Sequence, residues 1–217
     1  YAGTQDVYQR RLTYSGLIQW NNDYSDFLSD LAESWTFDGN ICTFNLRKDV
    51  KWHDGAPFNA DDVVFTYLIV GHKDSLWTDS QNLQTMVVGF TEYHDGTATE
   101  ISGIRKTDDF TVVFELTQPY RNPFLSTVAS YVINPKHILG DKPLDELLPE
   151  EGLCKTEWAL EKGIGTGPFK VANYVPDQFI EFARNDDYYR AEIQLDKIIY
   201  TAYTDGQAQA AALESGE

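Results

Sequence analysis

Hydrophobic and polar residues alternate along several short stretches of this sequence. Residues 41–47 alternate with the two-residue period of a half-buried strand. Residues 110–116 alternate in the same way, and they follow residues 101–106 across a Thr-Asp-Asp turn. These last two stretches therefore predict a β-hairpin.

A second hairpin is predicted later in the chain. Residues 169–174 lead into the turn Pro176-Asp177, and residues 179–183 return with alternating polarity. Residues 198–203 predict a further strand, which feeds the last helix of the sequence.

Four stretches carry helix signals. Asn59 precedes two aspartates and then apolar residues at helical spacing, which is typical of a capped helix start. Residues 122–129 predict a short helix with proline in its first turn, and residues 139–163 predict further short helices. Asp205 caps an alanine-rich helix that stops at Gly216. Because hairpins and helices mix without a steady βαβ rhythm, the predicted class is mixed α/β.

The net charge of the chain disfavours some classes of binding partner. The 217 residues include 34 acidic and 17 basic side chains, so the net charge is −17. That charge repels the phosphates of nucleic acids and the surface of an anionic membrane. No apolar run approaches the roughly 20 residues that span a bilayer. We therefore expect neither a nucleic-acid partner nor a membrane-spanning segment.

Aromatic residues make up 14% of the chain. Such rings can line a ligand cleft, and they can equally fill a core. For Trp35, Phe44 and Trp52 the sequence favours core positions. Gly55, in the turn after Trp52, is predicted to take a positive φ.

Motifs for catalysis and cofactor binding are not evident. Residues 163–167 contain three glycines, but they match neither a dinucleotide fingerprint nor a Walker loop, so they predict a tight turn. The four histidines are spread singly, away from zinc-site spacing, and no nucleophile motif occurs. We expect no cofactor and no metal ligands, while the abundant carboxylates leave a carbohydrate-active hydrolase open. A disulfide between Cys42 and Cys154 also stays open.

Six stretches, taken in order, resemble one family, the extracellular solute-binding proteins of family 5, which feed oligopeptide, dipeptide and nickel importers. The longest stretch, residues 43–65, contains Lys-Trp-His-Asp-Gly-Ala-Pro-Phe-Asn-Ala-Asp-Asp. The others are residues 31–35, 163–169, 184–189, 195–198 and 213–217. The resemblance covers essentially this whole chain, but only about the first half of a full-length member.

The resemblance implies an α/β fold of the periplasmic-binding-protein type II kind, with an inserted α+β subdomain and with the second lobe absent from this chain. Residues 1–35 and 165–217 would form lobe I, and residues 36–164 the inserted subdomain. In a full-length member, two lobes are expected to close over the ligand like a trap.

The function implied by the resemblance is that of the substrate-binding component of an ABC importer. Such a receptor captures oligopeptides outside the cytoplasm and delivers them to membrane permease subunits without catalysis. It would be a monomer, either periplasmic or lipid-anchored on the outer face of the membrane. A nickel or haem receptor on the same fold stays open as an alternative.

The resemblance also implies where the ligand is held. Ala2, Gly3 and Thr4 occupy the place where family members offer a ligand-binding strand, and Gly3 permits close backbone approach. The alternative for this segment is a frayed chain end. Trp77 resembles an aromatic residue that lies near the pocket in some members.

Overall fold

The computed structural model describes residues 10–75, 80–129, 131–148 and 163–216. The strands in these ranges are β1 (Ile18–Trp20), β2 (Phe27–Ser29), β3 (Ala32–Asp38), β4 (Ile41–Leu46), β5 (Ile104–Asp108), β6 (Thr111–Glu115), β7 (Phe169–Val175), β8 (Phe179–Arg184) and β9 (Lys197–Thr201). The helices are α1 (Ala60–Gly71), α2 (Ser80–Met86), α3 (Phe90–His94), α4 (Arg121–Val128), α5 (Lys136–Leu139), α6 (Leu144–Leu147) and α7 (Gly206–Ser215). Residues 10–13 form a further helical turn.

The strands pair into three antiparallel sheets. A four-stranded sheet has the order β3-β4-β6-β5, a three-stranded sheet has the order β7-β8-β9, and β1 pairs with β2. Both predicted hairpins are confirmed, because β5 pairs with β6 and β7 pairs with β8. The fold is therefore mixed α/β, as the sequence predicts.

Helix α1 begins where the sequence predicts it to begin. The Asn59 side chain accepts a hydrogen bond from the backbone N–H of Asp61 at 2.8 Å, and Asp62 Oδ2 accepts one from the N–H of Asn59 at 3.0 Å. This reciprocal arrangement is a capping box, which satisfies donors that a helix start leaves unpaired. Asp62 also accepts a hydrogen bond from Trp52 Nε1 at 3.3 Å, so the cap is joined to the core.

Aromatic rings fill the space between α1 and the four-stranded sheet. Phe114 lies at their centre, with its ring centroid 5.6 Å from that of Phe44 and 5.0 Å from that of Tyr67. The expected core positions are confirmed for Phe44 and Trp52, which are 0% and 2% exposed. Trp35 is half-buried and packs against the same core. Much of the high aromatic content therefore serves packing.

Other predicted elements agree with the structure to within a few residues. Helix α4 begins one residue before the predicted range, and β9 ends at Thr201, two residues early. Helix α7 has Asp205 as its N-cap and Gly216 as its C-cap, as predicted. Helix α6 lies within residues 139–163, where short helices are predicted, whereas α5 reaches that range only at Leu139 and residues 149–162 lie outside the described ranges.

Cys42 is a buried free thiol, and burial raises its pKa to about 12. Cys154 lies outside the described residues. Gly55 has a φ of 91°, as expected for the turn that it occupies. Among the described helices, none has both the length and the apolar character needed to cross a bilayer.

Candidate functional site

A cleft opens beside the helical turn at residues 10–13. We call it the cleft throughout, and its lining includes Arg10, Arg11, Tyr14, Ser15, Gly16, Asp30, Tyr131, Pro168 and Tyr188. These residues come from five separate parts of the sequence, so the cleft exists only in the folded chain. Its lining combines main-chain groups with tyrosine rings and both signs of charge.

The backbone of residues 15 and 16 forms one wall of the cleft. The carbonyl of Ser15 accepts a hydrogen bond from the N–H of Ile133 at 2.9 Å, and that of Gly16 accepts one from the N–H of Leu31 at 3.1 Å. A Cβ atom on Gly16 would lie 2.6 Å from the carbonyl oxygen of Tyr131. Only glycine permits this close approach of two backbone segments.

Asp30 is a buried carboxylate in the cleft. The hydroxyl of Tyr189 donates a hydrogen bond to Asp30 Oδ1, and Arg190 Nη1 lies 3.5 Å from the same oxygen. Burial raises the pKa of Asp30, and these two partners act in the opposite direction. Burial likewise raises the pKa of Tyr188 to about 12. Asp30 thus links the connection between β2 and β3 to the segment after β8.

Arg47 lies over the ring of Tyr189. Its guanidinium lies 5.1 Å from the centroid of the Tyr189 ring, and its Nη2 donates to the Tyr189 carbonyl at 3.3 Å. Asp49 receives two hydrogen bonds from Arg47, at 2.9 and 2.6 Å, which fixes the plane of the guanidinium. Tyr189 is therefore clamped between Arg47 and Asp30.

A loop at residues 163–168 contacts His53 and contributes Pro168 to the lining of the cleft. The N–H of Gly167 donates to the carbonyl of Thr13 at 2.8 Å, and Asn185 Nδ2 donates to the carbonyl of Gly167 at 3.0 Å. A Cβ atom on Gly165 would lie 1.9 Å from the Thr13 carbonyl oxygen. The structure has a bend at residues 166–168, and the glycines at 165 and 167 allow a close crossing of two backbone segments.

One group of side chains in the described residues has metal-ligand spacing. Ligand atoms of His72, Asp74 and Asp145 all lie within 4.8 Å of one another. The ammonium of Lys73 lies 3.1 Å from Asp74 and 3.5 Å from Asp145, and the N–H of Asp74 donates to His72 Nδ1 at 3.3 Å. The carboxylates and the imidazole are therefore satisfied by protein groups, and a cation would have to displace Lys73.

The ligand residues expected from the sequence, Ala2, Gly3, Thr4 and Trp77, lie outside the described residues, so their roles stay predictions. Asp30 and Tyr189, which meet in the structure, were not expected. The only signal for them was their position within or beside stretches that resemble the family. A contact between two residues that lie 159 positions apart cannot be deduced from one sequence.

Comparison with known proteins gives the family to which this chain belongs. The family model described as bacterial extracellular solute-binding proteins, family 5 Middle, matches residues 26–217 of this chain. This chain therefore belongs to that family. The resemblance in the sequence and the periplasmic-binding-protein type II fold are both confirmed.

Individual relatives share the whole of the described fold. The oligopeptide-binding protein AppA of Bacillus subtilis is 33% identical over 208 residues, which cover 95% of this chain and 34% of AppA. Its structure in complex with a nonapeptide superposes with a TM-score of 0.81, at 29% identity, over 100% of this chain and 39% of that one. The dipeptide-binding protein of Escherichia coli K12 is 32% identical over 94% of this chain and 38% of its own length.

A third relative has a different ligand. The structure of NikZ from Campylobacter jejuni in complex with Ni(L-His) superposes with a TM-score of 0.74, at 25% identity, over 95% of this chain and 36% of that one. The chain thus spans between a third and two fifths of the length of the relatives it matches.

Proposed function

We propose that this chain forms part of the substrate-binding component of an ABC importer, which captures oligopeptides outside the cytoplasm and delivers them to permease subunits. The observation that carries the proposal is the family match over residues 26–217, together with the likeness to a receptor solved with a nonapeptide. The proposal includes that the receptor binds its ligand without changing it chemically and acts as a monomer.

The proposed binding mode relies on main-chain groups. An extended peptide that hydrogen-bonds to receptor backbone gains affinity from every residue without requiring a particular sequence. We propose that Ala2, Gly3 and Thr4 supply such a strand and that Trp77 supplies an aromatic contact. The first residue that lines the cleft, Arg10, lies six positions after Thr4 in the sequence, and the cleft adds polar and charged groups that can discriminate between ligand termini.

The proposed receptor has two lobes, of which this chain supplies one. This proposal is supported by the share of each relative that the chain covers, which is 34% for AppA and 38% for the dipeptide-binding protein. Residues 1–35 and 165–217 are assigned to lobe I, and residues 36–164 to the inserted subdomain. Strand β3 continues across residue 35, so the boundary lies within a strand.

The proposed location of the receptor is outside the cytoplasm, where the family's name places its members. Both a periplasmic form and a lipid-anchored form on the outer face of the membrane fit this location. The net charge of −17 is compatible with either form, because it favours neither nucleic acid nor an anionic membrane surface as a partner.

Nickel is the second candidate ligand, and one relative favours it because it was solved with Ni(L-His). Among the described residues, His72, Asp74 and Asp145 have suitable spacing, but Lys73 already occupies the space between the carboxylates. Titration with nickel and free histidine decides between the two ligands. Nickel binding that is lost in His72→Ala would favour the metal receptor.

Calorimetry with peptides tests the main proposal. The two-lobed protein should bind peptides of two to nine residues, whereas the 217-residue chain alone should bind them weakly, because the lobe that completes the cleft is missing. Peptide binding as tight to the chain alone as to the two-lobed protein would contradict the two-lobe account. No binding of any peptide to the two-lobed protein would contradict the peptide assignment.

A further inference from the structure

His53 lies in the turn between β4 and α1, and its imidazole bonds twice to one loop. Nδ1 accepts a hydrogen bond from the N–H of Gly165 at 3.1 Å, and Nε2 lies 3.0 Å from the carbonyl oxygen of Gly167. An imidazole can satisfy both partners only when Nδ1 is bare and Nε2 carries the proton. The backbone N–H of His53 adds a bond to the Gly165 carbonyl at 2.9 Å.

The loop that His53 holds is also a wall of the cleft. Gly167 donates to the carbonyl of Thr13, and the next residue, Pro168, lines the cleft together with Tyr14. The loop packs closely against Thr13, because a Cβ atom at Gly165 would overlap the Thr13 carbonyl oxygen. A change in the position of the loop must therefore move the segment that carries Tyr14 and Ser15.

We propose that His53 is a positioning residue for the cleft, and that its two hydrogen bonds to the loop at residues 163–168 set the place of the Thr13–Ser15 wall. The consequence for ligand binding rests on the proposed function, since it assumes that the cleft contacts the ligand. The positioning itself can be measured without a ligand.

The chemistry of the imidazole gives this contact a pH dependence. The pKa of His53 is lowered to about 4, chiefly by burial and to a smaller extent by the nearby ammonium of Lys170, whereas the hydrogen bond to the Gly167 carbonyl and the charge of Asp54 act in the opposite direction. Lys170 Nζ lies 3.3 Å from the His53 carbonyl. The loop at residues 163–168 has no ionisable side chain, and residues 10–14 beyond it include Arg10, Arg11 and Tyr14. Near neutral pH the ring is therefore neutral and both bonds are intact.

Protonation at Nδ1 would reverse one of these bonds. Nδ1 would become a donor that faces the N–H donor of Gly165, so the acceptor that holds the loop would be lost. Below about pH 4 the loop should separate from the ring, and the wall of the cleft should shift with it.

Nuclear magnetic resonance of the 217-residue chain tests the positioning. The variants are His53→Asn, whose Oδ1 can replace the Nδ1 acceptor, and His53→Leu, which has neither hydrogen-bonding group. His137→Gln is the matched control, because His137 contacts the same turn through Asp54, at 2.8 Å, and not the loop. We expect the wild-type ring to carry its proton on Nε2 and the Gly165 amide to be protected from exchange.

The expected results separate the variants. Exchange of the Gly165 amide should accelerate about tenfold in His53→Leu, which corresponds to the loss of one ordinary hydrogen bond, and the signals of Thr13 to Ser15 should shift. His53→Asn should restore much of the protection, and neither variant should show the wild-type transition near pH 4. An Nδ1–H ring in the wild type, or unchanged exchange in His53→Leu, would overturn the proposal. If His53→Leu fails to fold, the position of the proton on the wild-type ring and the exchange of the Gly165 amide in His53→Asn still test the proposal.

Calorimetry of the two-lobed protein with pentaalanine tests the consequence for binding. His53→Leu should weaken binding by about tenfold, His53→Asn should recover part of the loss, and His137→Gln should bind as the wild type does. Wild-type affinity in His53→Leu would overturn the role of His53 in binding. Absence of binding by the wild type would instead contradict the peptide assignment, and the amide exchange would still decide the role of His53.

Discussion

Single side chains join distant parts of the sequence around the cleft. The Tyr189 hydroxyl bonds to Asp30 across 159 positions, and Arg47 lies over the Tyr189 ring. Each partner is buried or half-buried, so a lost bond would leave a polar group without water to replace it. These contacts set the shape of the cleft, although each involves only one or two atoms.

The first prediction concerns the hydroxyl of Tyr189. Tyr189→Phe removes the donor to the buried Asp30 carboxyl and should lower the free energy of unfolding by about 1–3 kcal/mol. Tyr24→Phe is the matched control, because Tyr24 is 67% exposed, and it should change stability by less than about 0.5 kcal/mol. Urea denaturation measures both. Equal stability of the two variants would contradict the structural role of the Asp30 bond.

The second prediction concerns the pH dependence of stability. The pKa of His53 is about 4 in the folded chain and has an ordinary value of 6.5, so the unfolded chain binds the proton more readily. The contribution of His53 to the free energy of unfolding is therefore complete above about pH 6.5. It is lost as the pH falls toward 4, by about 3 kcal/mol in total. His53→Asn should reduce this loss when unfolding is measured from pH 7 to 4. An identical pH profile in the variant would refute the shifted pKa.

Helices and strands differ in how far the sequence determined them. Helix α1 could be located because its signal is local: Asn59 and Asp62 cap it, and apolar residues follow at helical spacing. Both hairpins could be located from alternation and turn residues. The ribbon of β1 and β2 was not expected, since its strands have three residues each and too short a pattern to recognise.

The loop at residues 163–168 shows the limit of local reasoning. Its glycines predicted a tight turn, and the structure has a bend at residues 166–168. The reason for the glycines is the Thr13 backbone, which lies about 150 positions earlier in the chain and against which the loop packs. A contact between such distant segments leaves no local pattern, and the same holds for the hydrogen bonds from His53.

The third prediction compares two glycines. Gly165→Ala would place a Cβ atom 1.9 Å from the Thr13 carbonyl oxygen, and we expect the variant to lose about 3 kcal/mol or more. Gly206→Ala is the control, because a Cβ atom there has nothing within 4 Å at the start of α7. It should gain about 0.4–1 kcal/mol from reduced freedom of the unfolded chain. Thermal unfolding compares them, and a stable Gly165→Ala would contradict the close crossing.

The whole molecule is a member of a receptor family whose fold could be recognised from ordered stretches of its sequence. Motifs such as Trp52 to Asp62 resemble those of the family because they form the core and cap α1, as the burial of Trp52 and the bonds to Asp62 show. The ligand residues could not be derived in this way. Affinity that comes from main-chain groups leaves little side-chain pattern to read.

We propose that the receptor to which this chain contributes holds a peptide and releases it unchanged. The most direct measurement is mass spectrometry of the complex between the two-lobed protein and a defined nonapeptide, followed by mass analysis of the peptide after denaturation. The account predicts one peptide per protein, recovered at its original mass after prolonged incubation. Recovery of cleaved or otherwise altered peptide, or turnover of a glycoside in a parallel assay, would contradict it.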